Sequence, residues 1–335
     1  MAQMNLSASS QILLLNSVGP GSRKVHRIGN CVVKAYSLAS DAWYEYNALS
    51  TVTGLHPANV AVPVPIGIRQ NTNRTFVFTE YVEGYSLVPK VFLAMFVKKS
   101  RDIDLFHDLG IALKSFHMME ADGFDESEIP GEPGALKARI EDLAKGVAGV
   151  GVLDPSLTRQ LLNRIGGIEI DDRIFSTVTL HGDFHFWNLL ISRGKPVFLD
   201  LSHAKRGPCH RDLATFSLCL WSSLCYPLSG AKRLRYLAHA FLSGYYGQDF
   251  AQACSTGLAR SVELSELYEA LREIDLNLKV WHKRGYETKV WAKLKIRRLK
   301  TVIENVILPH LVTRPEKLVW STDKNLHSCA VRHPL

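Results

Sequence analysis

Short strands separated by turns are predicted at the start of the chain. Apolar residues there either run continuously or alternate with polar ones, and both patterns are typical of β-strands. Turn residues fill the gaps, with Gly19 to Ser22 in the first and Gly29-Asn30 in the second. The strands are predicted at 11–16, 24–28, 31–36 and 75–81.

A helix is predicted to follow the third strand, beginning near Ser40-Asp41, because both residues are favourable at a helix N-terminus. Its inward stripe contains Ala42, Glu45, Leu49 and Val52 at helical spacing. Glu45 is a carboxylate on an apolar stripe, and a buried charge requires a partner. The pattern therefore predicts a basic side chain opposite Glu45.

Beyond about residue 87 the periodicity becomes helical, except for a strand-rich stretch at 174–200 that contains the candidate chemistry. Helices are predicted around 105–116, 136–147, 155–165, 210–225, 231–246, 262–283 and 288–308. The predicted fold class is therefore α+β, with a small β-rich lobe followed by a large helical lobe. We place the lobes at 1–84 and 85–335, together forming one domain.

Composition excludes several classes of protein. Hydrophobic residues make up 46% of the 335 residues and charged residues 21%, which is typical of a folded, soluble chain and not of a disordered or collagen-like one. The six cysteines contain no C-x-x-C pair, so neither a disulfide framework nor a zinc site is indicated. The N-terminus lacks an export-signal pattern, so a cytoplasmic location is expected.

Positive charge is concentrated near the C-terminal end. The formal net charge is +8, and the segment 279–300 contains nine Lys or Arg residues and one acid, Glu287. Its apolar positions predict a helix packed on the core with a solvated basic face; they are Val290, Leu294, Val302, Ile303, Val306 and Ile307. The alternative to a merely solvated face is that 289–300 binds weakly to an anionic membrane or glycolipid surface. No nucleic-acid-binding module is visible.

The segment 180–200 carries the candidate chemistry. Two apolar triplets flank the turn 192–196, and a hairpin centred on Gly194 would place Asn188 opposite Asp200. An amide oxygen and a carboxylate at that distance can share a hard cation such as Mg²⁺. Asp183 lies in the preceding loop and can face the same space. Phosphoryl transfer needs these parts, together with a cation that holds the nucleotide phosphates, for which Lys34 partnered by Glu45 is the candidate.

Two motifs resemble those of the aminoglycoside phosphotransferase and choline kinase family, whose members have the protein-kinase-like fold. H-G-D-F-H-F-W-N at 181–188 is similar to the family's catalytic loop. D-L-S-H-A-K-R-G-P-C-H-R-D-L-A at 200–214 is similar to its metal-binding segment. Lys34, Glu45 in E-Y-N-A-L and the hinge T-E-Y-V-E-G at 79–84 extend the resemblance.

The resemblance implies an ATP- or GTP-dependent transferase that uses Mg²⁺ and phosphorylates a hydroxyl group. It implies Asp183 as catalytic base and Asn188 and Asp200 as metal ligands. For nucleotide binding it implies Lys34 with Glu45, the turn ending at Ser22, and backbone groups of Glu80 and Val82 against adenine. His185 is predicted to be structural, and Asp212 is predicted to cap its helix and brace the catalytic loop.

One departure and several alternatives remain open. Ser202 stands where the family often has glycine or a second carboxylate. The number of metal ions that the site binds, one or two, therefore stays open. The first hypothesis is a kinase whose acceptor is an amino sugar, an amino alcohol or a sugar. The second is a kinase that acts on a lipopolysaccharide or glycan sugar. The third is a pseudokinase that binds nucleotide without turnover. Trp187 either lines the acceptor pocket or only packs.

Overall fold

A computed structural model of the chain describes residues 12–15, 24–96, 100–120, 123–222, 231–247, 257–281 and 286–312. The strands are β1 Ile12–Leu15, β2 Lys24–Ile28, β3 Cys31–Tyr36, β4 Pro65–Gln70, β5 Thr75–Glu80, β6 Tyr85–Ser86, β7 Thr177–Leu180, β8 Leu189–Ser192, β9 Lys195–Phe198 and β10 Lys205–Pro208. The helices are α1 Ala39–Leu55, α2 Val88–Phe96, α3 Ser100–His117, α4 Pro133–Gly149, α5 Pro155–Gly166, α6 His210–Trp221, α7 Ala231–Tyr246, α8 Gly257–Trp281, α9 Tyr286–Val302 and α10 Leu308–Val312. This is the α+β architecture predicted from the sequence.

An antiparallel sheet in the order β1-β2-β3-β5-β4 forms the N-terminal part of the molecule. Lys34 lies on the central strand β3, opposite Val25 of β2 and Val77 of β5. The sequence patterns do not predict β4, because Pro65 and Gly67 are residues typical of turns. An edge strand tolerates both residues, and the pairing of β4 with β5 shifts register between them.

The helices of the C-terminal part enclose one large core. α3 packs on α7, while α8 contacts α4, α6 and α9. Aromatic side chains fill the centre, and the rings of Phe216 and Phe241 lie 4.3 Å apart. The apolar face of α1 joins this core through Leu49 and Val52, which are fully buried. α1 therefore connects the N-terminal sheet to the helical part.

Two further contacts join the sheet-bearing part to the C-terminal part. The Ala61 N–H donates to Pro196 O at 3.0 Å, and the Phe198 N–H donates to Ala61 O at 2.9 Å. β6 begins at Tyr85 and pairs with β8. Because pairing with C-terminal strands begins there, we propose the division into lobes 1–84 and 85–335 of a single domain.

The predicted apolar stripe of the basic helix is wrong in its first half. Val290 and Leu294 of α9 are 41% and 53% exposed. The buried positions are Ala292 and Leu299, and Val302 continues the same stripe. Spacing alone did not distinguish the two faces, because apolar residues occur on both. Among the described residues, no helix combines the length and the apolar character that crossing a membrane requires.

Candidate active site

The hairpin that carries the candidate metal ligands has a tighter turn than the sequence predicts. Only Arg193 and Gly194 form the loop, and both have positive φ angles, 49° and 79°, as favoured two-residue hairpin turns require. Leu189 therefore pairs with Phe198, and the Leu199 N–H donates to Asn188 O at 2.9 Å. The predicted pairing of Asn188 with Asp200 is wrong by one residue.

Asp200 faces the site because of its backbone conformation and not because of strand register. Its φ and ψ are 60° and 66°, the left-handed region. Among residues other than glycine, aspartate and asparagine enter this region most readily. Asp200 stands two residues after the end of β9, at the start of a short helical turn, and its carboxylate lies 2.7 Å from Lys34 Nζ.

Lys34 joins three elements of the fold at this point. Its Nζ lies 3.0 Å from Glu45 Oε1 and 2.9 Å from Oε2, in addition to the Asp200 contact. Glu45 is only 4% exposed, so the partner that its place on an apolar stripe predicted is Lys34. The Ser202 hydroxyl donates to Asp200 Oδ1 at 2.6 Å. Ser202, which stands where the family often has glycine or a second carboxylate, therefore holds the Asp200 carboxylate through its hydroxyl.

We expect Lys34 and Glu45 to behave as one unit. Removing either side chain breaks the Lys34–Glu45 ion pair that positions the Lys34 ammonium, so Lys34→Ala and Glu45→Ala should each lower kcat/KM, and the double variant should be little worse than either. A coupling energy of roughly 1–3 kcal/mol is expected. The same cycle with Asp41→Ala, an exposed acid in the first turn of α1, is the control. Additive effects of Lys34→Ala and Glu45→Ala would show that the two side chains do not act together.

Asp183 is held from two sides within the catalytic loop. Asn188 Nδ2 donates to Asp183 Oδ2 at 3.1 Å, and His185 Nε2 lies 3.2 Å from the same oxygen. Burial acts to raise the pKa of Asp183, but the hydrogen bond and charge of His185 outweigh it, and the pKa lies below its ordinary value. Asp183 is therefore ionised at neutral pH, and His185 supports the carboxylate.

Asp212 holds the backbone of the catalytic loop. Its carboxylate accepts the N–H groups of His181 at 2.7 Å and Gly182 at 2.9 Å. Gly182 has φ 80°, and a Cβ there would lie 1.9 Å from His203 O, so only glycine fits. Asp212 thus braces the loop as predicted. It does not cap α6, which begins at His210 after Cys209 with no capping bond from a side chain.

His117 is a site residue that the sequence analysis missed. It is buried at the end of α3, with Nε2 3.0 Å from Asp212 Oδ2 and Nδ1 2.7 Å from the Tyr245 hydroxyl. Because Asp212 accepts through its carboxylate, Nε2 carries a proton in this contact. The one available signal was a histidine directly after the apolar stripe of α3, and such a residue carries no sign of its distant partner.

The predicted hinge follows the last residues of β5. The Glu80 N–H donates to Val64 O and the Tyr81 N–H to Asn30 O, both at 2.9 Å. The Arg27 guanidinium lies 3.5 Å from the centroid of the Tyr81 ring. The amides of Glu80 and Tyr81 are thus engaged within the protein, while Val82 follows them in an irregular segment. Ser22 and the rest of the predicted Gly19 to Ser22 turn lie outside the described residues.

The arrangement places a half-buried cation beside two carboxylates at the junction of the two lobes, with a third carboxylate and an amide paired in the catalytic loop. Lys34 belongs to the N-terminal sheet, whereas Asp183, Asn188 and Asp200 flank the β8–β9 hairpin. The Tyr44 hydroxyl of α1 also donates to Ala204 O, just beyond Asp200. Such a set can bind a phosphate, a hard cation and a hydroxyl group in one place.

Comparisons with known proteins bear on the family and the fold of the chain. The family model described as the phosphotransferase enzyme family matches residues 22–253. No curated protein sequence matches the chain. Among solved structures, the chain is similar to a choline/ethanolamine kinase family protein from Mesorhizobium loti, with 14% identity, a TM-score of 0.55, and coverage of 90% of this chain and 92% of that one.

Two further solved structures have the same architecture. An ADP-bound aminoglycoside phosphotransferase is 13% identical, with a TM-score of 0.55 and coverage of 89% of this chain and 95% of that one. An amicoumacin kinase in complex with AMP-PNP and Ca²⁺ is 10% identical, with a TM-score of 0.56 and 92% coverage of each chain. These likenesses confirm the predicted bilobal, protein-kinase-like fold. Because the family match extends over more than half of the sequence, the chain belongs to the phosphotransferase enzyme family and is a kinase that acts on hydroxyl acceptors.

Proposed function

We propose that the protein is an ATP-dependent kinase that transfers the γ-phosphoryl group to a hydroxyl of a small molecule, an amino sugar, an amino alcohol or a sugar. The observation that carries this proposal is the contact of Lys34 Nζ with both Glu45 and Asp200, at 2.9 Å and 2.7 Å. It brings the phosphate-binding candidate of one lobe to the metal-binding candidate of the other. All five side chains that the chemistry needs are present, which favours an active enzyme over a pseudokinase.

Asp183 acts in this proposal as the base. Its carboxylate is ionised and held by Asn188 and His185, so it can accept a hydrogen bond from the acceptor hydroxyl and orient that oxygen. The oxygen forms a bond to the γ-phosphorus while the bond from that phosphorus to the β–γ bridging oxygen breaks. The hydroxyl proton passes to Asp183, late in a loose transition state, so a weak base suffices. The products are a phosphate monoester, ADP and the released proton.

The proposed metal ligands, Asn188 and Asp200, fit Mg²⁺ by their chemistry. Mg²⁺ prefers oxygen ligands and usually binds one or two protein groups, with phosphates and water completing its coordination. Asn188 Nδ2 faces Asp183, so the amide oxygen is the atom that can serve as a ligand. The described residues contain no cluster of three or more His, Cys, Asp or Glu side chains that could hold an ion. When bound, Mg²⁺ would neutralise charge on the transferred phosphoryl group.

The nucleotide is proposed to bind between the lobes, with Lys34 on the phosphates and the backbone of Glu80 and Val82 against the base. Ser22 is proposed to contact phosphate. ATP is the proposed donor and GTP the alternative. A calorimetric titration should detect binding of Mg·ATP or Mg·GTP, and a nucleotide-consumption screen over aminoglycosides, amino alcohols, sugars and glycolipids should then identify the acceptor. A complete lack of nucleotide affinity with Mg²⁺ or Mn²⁺ would contradict the proposal.

A second proposal is that the basic surface of α9 contacts an anionic membrane. Because such a surface would suit a membrane-bound acceptor, a kinase of a glycan or lipopolysaccharide sugar is the alternative function. Val290 and Leu294 are exposed beside the exposed Lys293 and Arg297. Apolar side chains flanked by cations are suited to an anionic membrane surface. Lys295 contributes less, because it pairs with Glu273 at 2.6 Å.

We therefore expect weak sedimentation of the protein with anionic vesicles and none with neutral vesicles. Binding should decrease as salt is raised, because screening weakens exposed charges first. Lys293→Glu should abolish it, whereas the same change at Lys145, an exposed lysine of α4, should not. Equal sedimentation with both kinds of vesicle would contradict the membrane proposal, and the basic face would then be merely solvated.

A further inference from the structure

Trp187 is an unusually exposed aromatic residue for its position in the catalytic loop. Its side chain is 51% exposed, although the preceding residue, Phe186, is fully buried and the following one is Asn188. The Trp187 ring lies 5.7 Å from that of Phe186 and 6.1 Å from that of Phe92 in α2. Phe186 and Phe92 also contact each other edge to face, at 6.0 Å. One side of the indole is therefore packed, and the other is open.

Helix α2 continues from Phe92 with further exposed apolar side chains. Val91, Ala94 and Met95 are buried, which orients the helix on the core. Phe92, Phe96 and Leu93 follow one another around the opposite arc of the helix. Phe96 is 53% exposed and Leu93 is 49% exposed. We call Phe92, Leu93, Phe96 and Trp187 the aromatic wall.

The aromatic wall is held in place relative to the catalytic loop. Arg233 of α7 donates from Nε to Ala94 O at 2.8 Å and contacts Asp102 at 3.3 Å, which ties the last turn of α2 to α7 and α3. The Leu87 N–H donates to Leu189 O at 3.1 Å, just before α2. The backbone that carries the wall is thus tied to its neighbours, and apolar surface that is positioned before binding favours affinity.

The wall is also close to the proposed base. Asn188 follows Trp187 in the chain and contacts Asp183 through its amide at 3.1 Å. Consecutive Cα atoms lie about 3.8 Å apart, so the backbone of Trp187 is next to that of the residue whose amide contacts Asp183. An acceptor that extends from Asp183 along this loop would reach Trp187 within a few side-chain lengths.

Carboxylates of α8 near the catalytic loop are engaged within the protein. Arg211, whose Nη2 donates to Gly182 O at 3.3 Å, also contacts Glu269. Glu269 receives a second contact from Arg272 at 2.9 Å. Lys295 lies 2.6 Å from Glu273. These acids are therefore neutralised by protein cations, and a polycationic acceptor would have to displace those cations to reach them.

We propose that the aromatic wall binds an apolar part of the acceptor, so that the acceptor is an alcohol that carries an aromatic or alkyl group beside its reacting hydroxyl. This inference rests on the proposed function and specifies its substrate class. Trp187 is then a specificity-determining residue: its open face covers the apolar group while Asp183 meets the hydroxyl. The half-exposed indole favours the lining role over the purely packing role that the sequence left open.

The test uses matched pairs of alcohols that share the reacting group and differ in one phenyl substituent, such as alaninol with phenylalaninol and glucose with phenyl glucoside. With Mg·ATP and the full-length chain, we expect the phenyl-bearing member to have a KM roughly 10- to 100-fold lower. Trp187→Ala should reduce this preference to within about threefold. Trp43→Ala is the matched control, because Trp43 is 47% exposed on α1 and should leave the preference intact.

The outcomes separate the inference from the proposed function. A chain that binds no Mg·nucleotide would overturn the proposed function itself. A chain that binds Mg·ATP but phosphorylates no phenyl-bearing member, or prefers the unsubstituted member, would overturn the inference alone. A preference that survives in both Trp187→Ala and Phe96→Ala would also overturn it, because the selectivity would then come from another surface. Circular dichroism of each variant checks that the fold is retained.

Discussion

Asp183→Asn is expected to lower kcat by about 10²–10⁴-fold, the usual contribution of a general base. The asparagine side chain can still accept from Asn188 Nδ2 and face His185, which contact the carboxylate at 3.1 Å and 3.2 Å. The loop should therefore keep its shape. The variant would lose only the negative charge that orients the acceptor hydroxyl and takes its proton. Affinity for Mg·ATP should change little, because Asp183 is not among the proposed ligands of metal or adenine.

The measurement is kcat with the identified acceptor, together with calorimetric binding of Mg·ATP to the same protein. Asp172→Asn removes an exposed carboxylate from the helical turn before β7, and it controls for the change in net charge. Near-normal turnover of Asp183→Asn would show that another group takes the proton.

Asp200→Asn should impair the enzyme in a different way. The substitution keeps an oxygen near Lys34 and Ser202, which contact the carboxylate at 2.7 Å and 2.6 Å, but it removes the charge that would attract Mg²⁺. Losing a charge-assisted contact costs about 1.5–3 kcal/mol. We therefore expect affinity for Mg·ATP to fall by at least about tenfold, and turnover to fall with it.

Titration of Mg²⁺ and of Mg·ATP into each variant tests this expectation without needing an acceptor. Ser202→Ala is the matched control, since it removes a hydrogen bond to the same carboxylate while keeping its charge, and its affinity should fall by less than Asp200→Asn. Asp200→Asn that bound Mg²⁺ as tightly as the parent would place the metal elsewhere.

Much of this fold was predictable because the information is local. The periodicity of apolar residues predicted most helices and the first strands, because the apolar face of a helix or strand is formed by residues that are close together in the sequence. The resemblance of the segments 181–188 and 200–214 to family motifs indicated the chemistry. Glu45 was informative for a general reason: a carboxylate on a buried stripe demands a partner wherever that partner lies in the chain.

Tertiary structure decided the points that depend on long-range geometry. Arg193 and Gly194 both adopt positive φ angles, so the hairpin register shifts by one residue, and the left-handed backbone of Asp200 directs its carboxylate toward Lys34. The hydrogen bonds of the Asp212 carboxylate join residues about 30 positions apart in the chain. A periodic pattern of apolar residues does not predict such pairs.

The two faces of α9 and the open face of Trp187 were decided in the same way. The sequence by itself determined the fold class, the family resemblance and the need for a partner at Glu45. It could not determine which of several apolar residues lie buried, since burial depends on what packs against each face. Only the folded chain brings the packing partners of each face together, and it leaves Val290, Leu294 and Trp187 largely exposed.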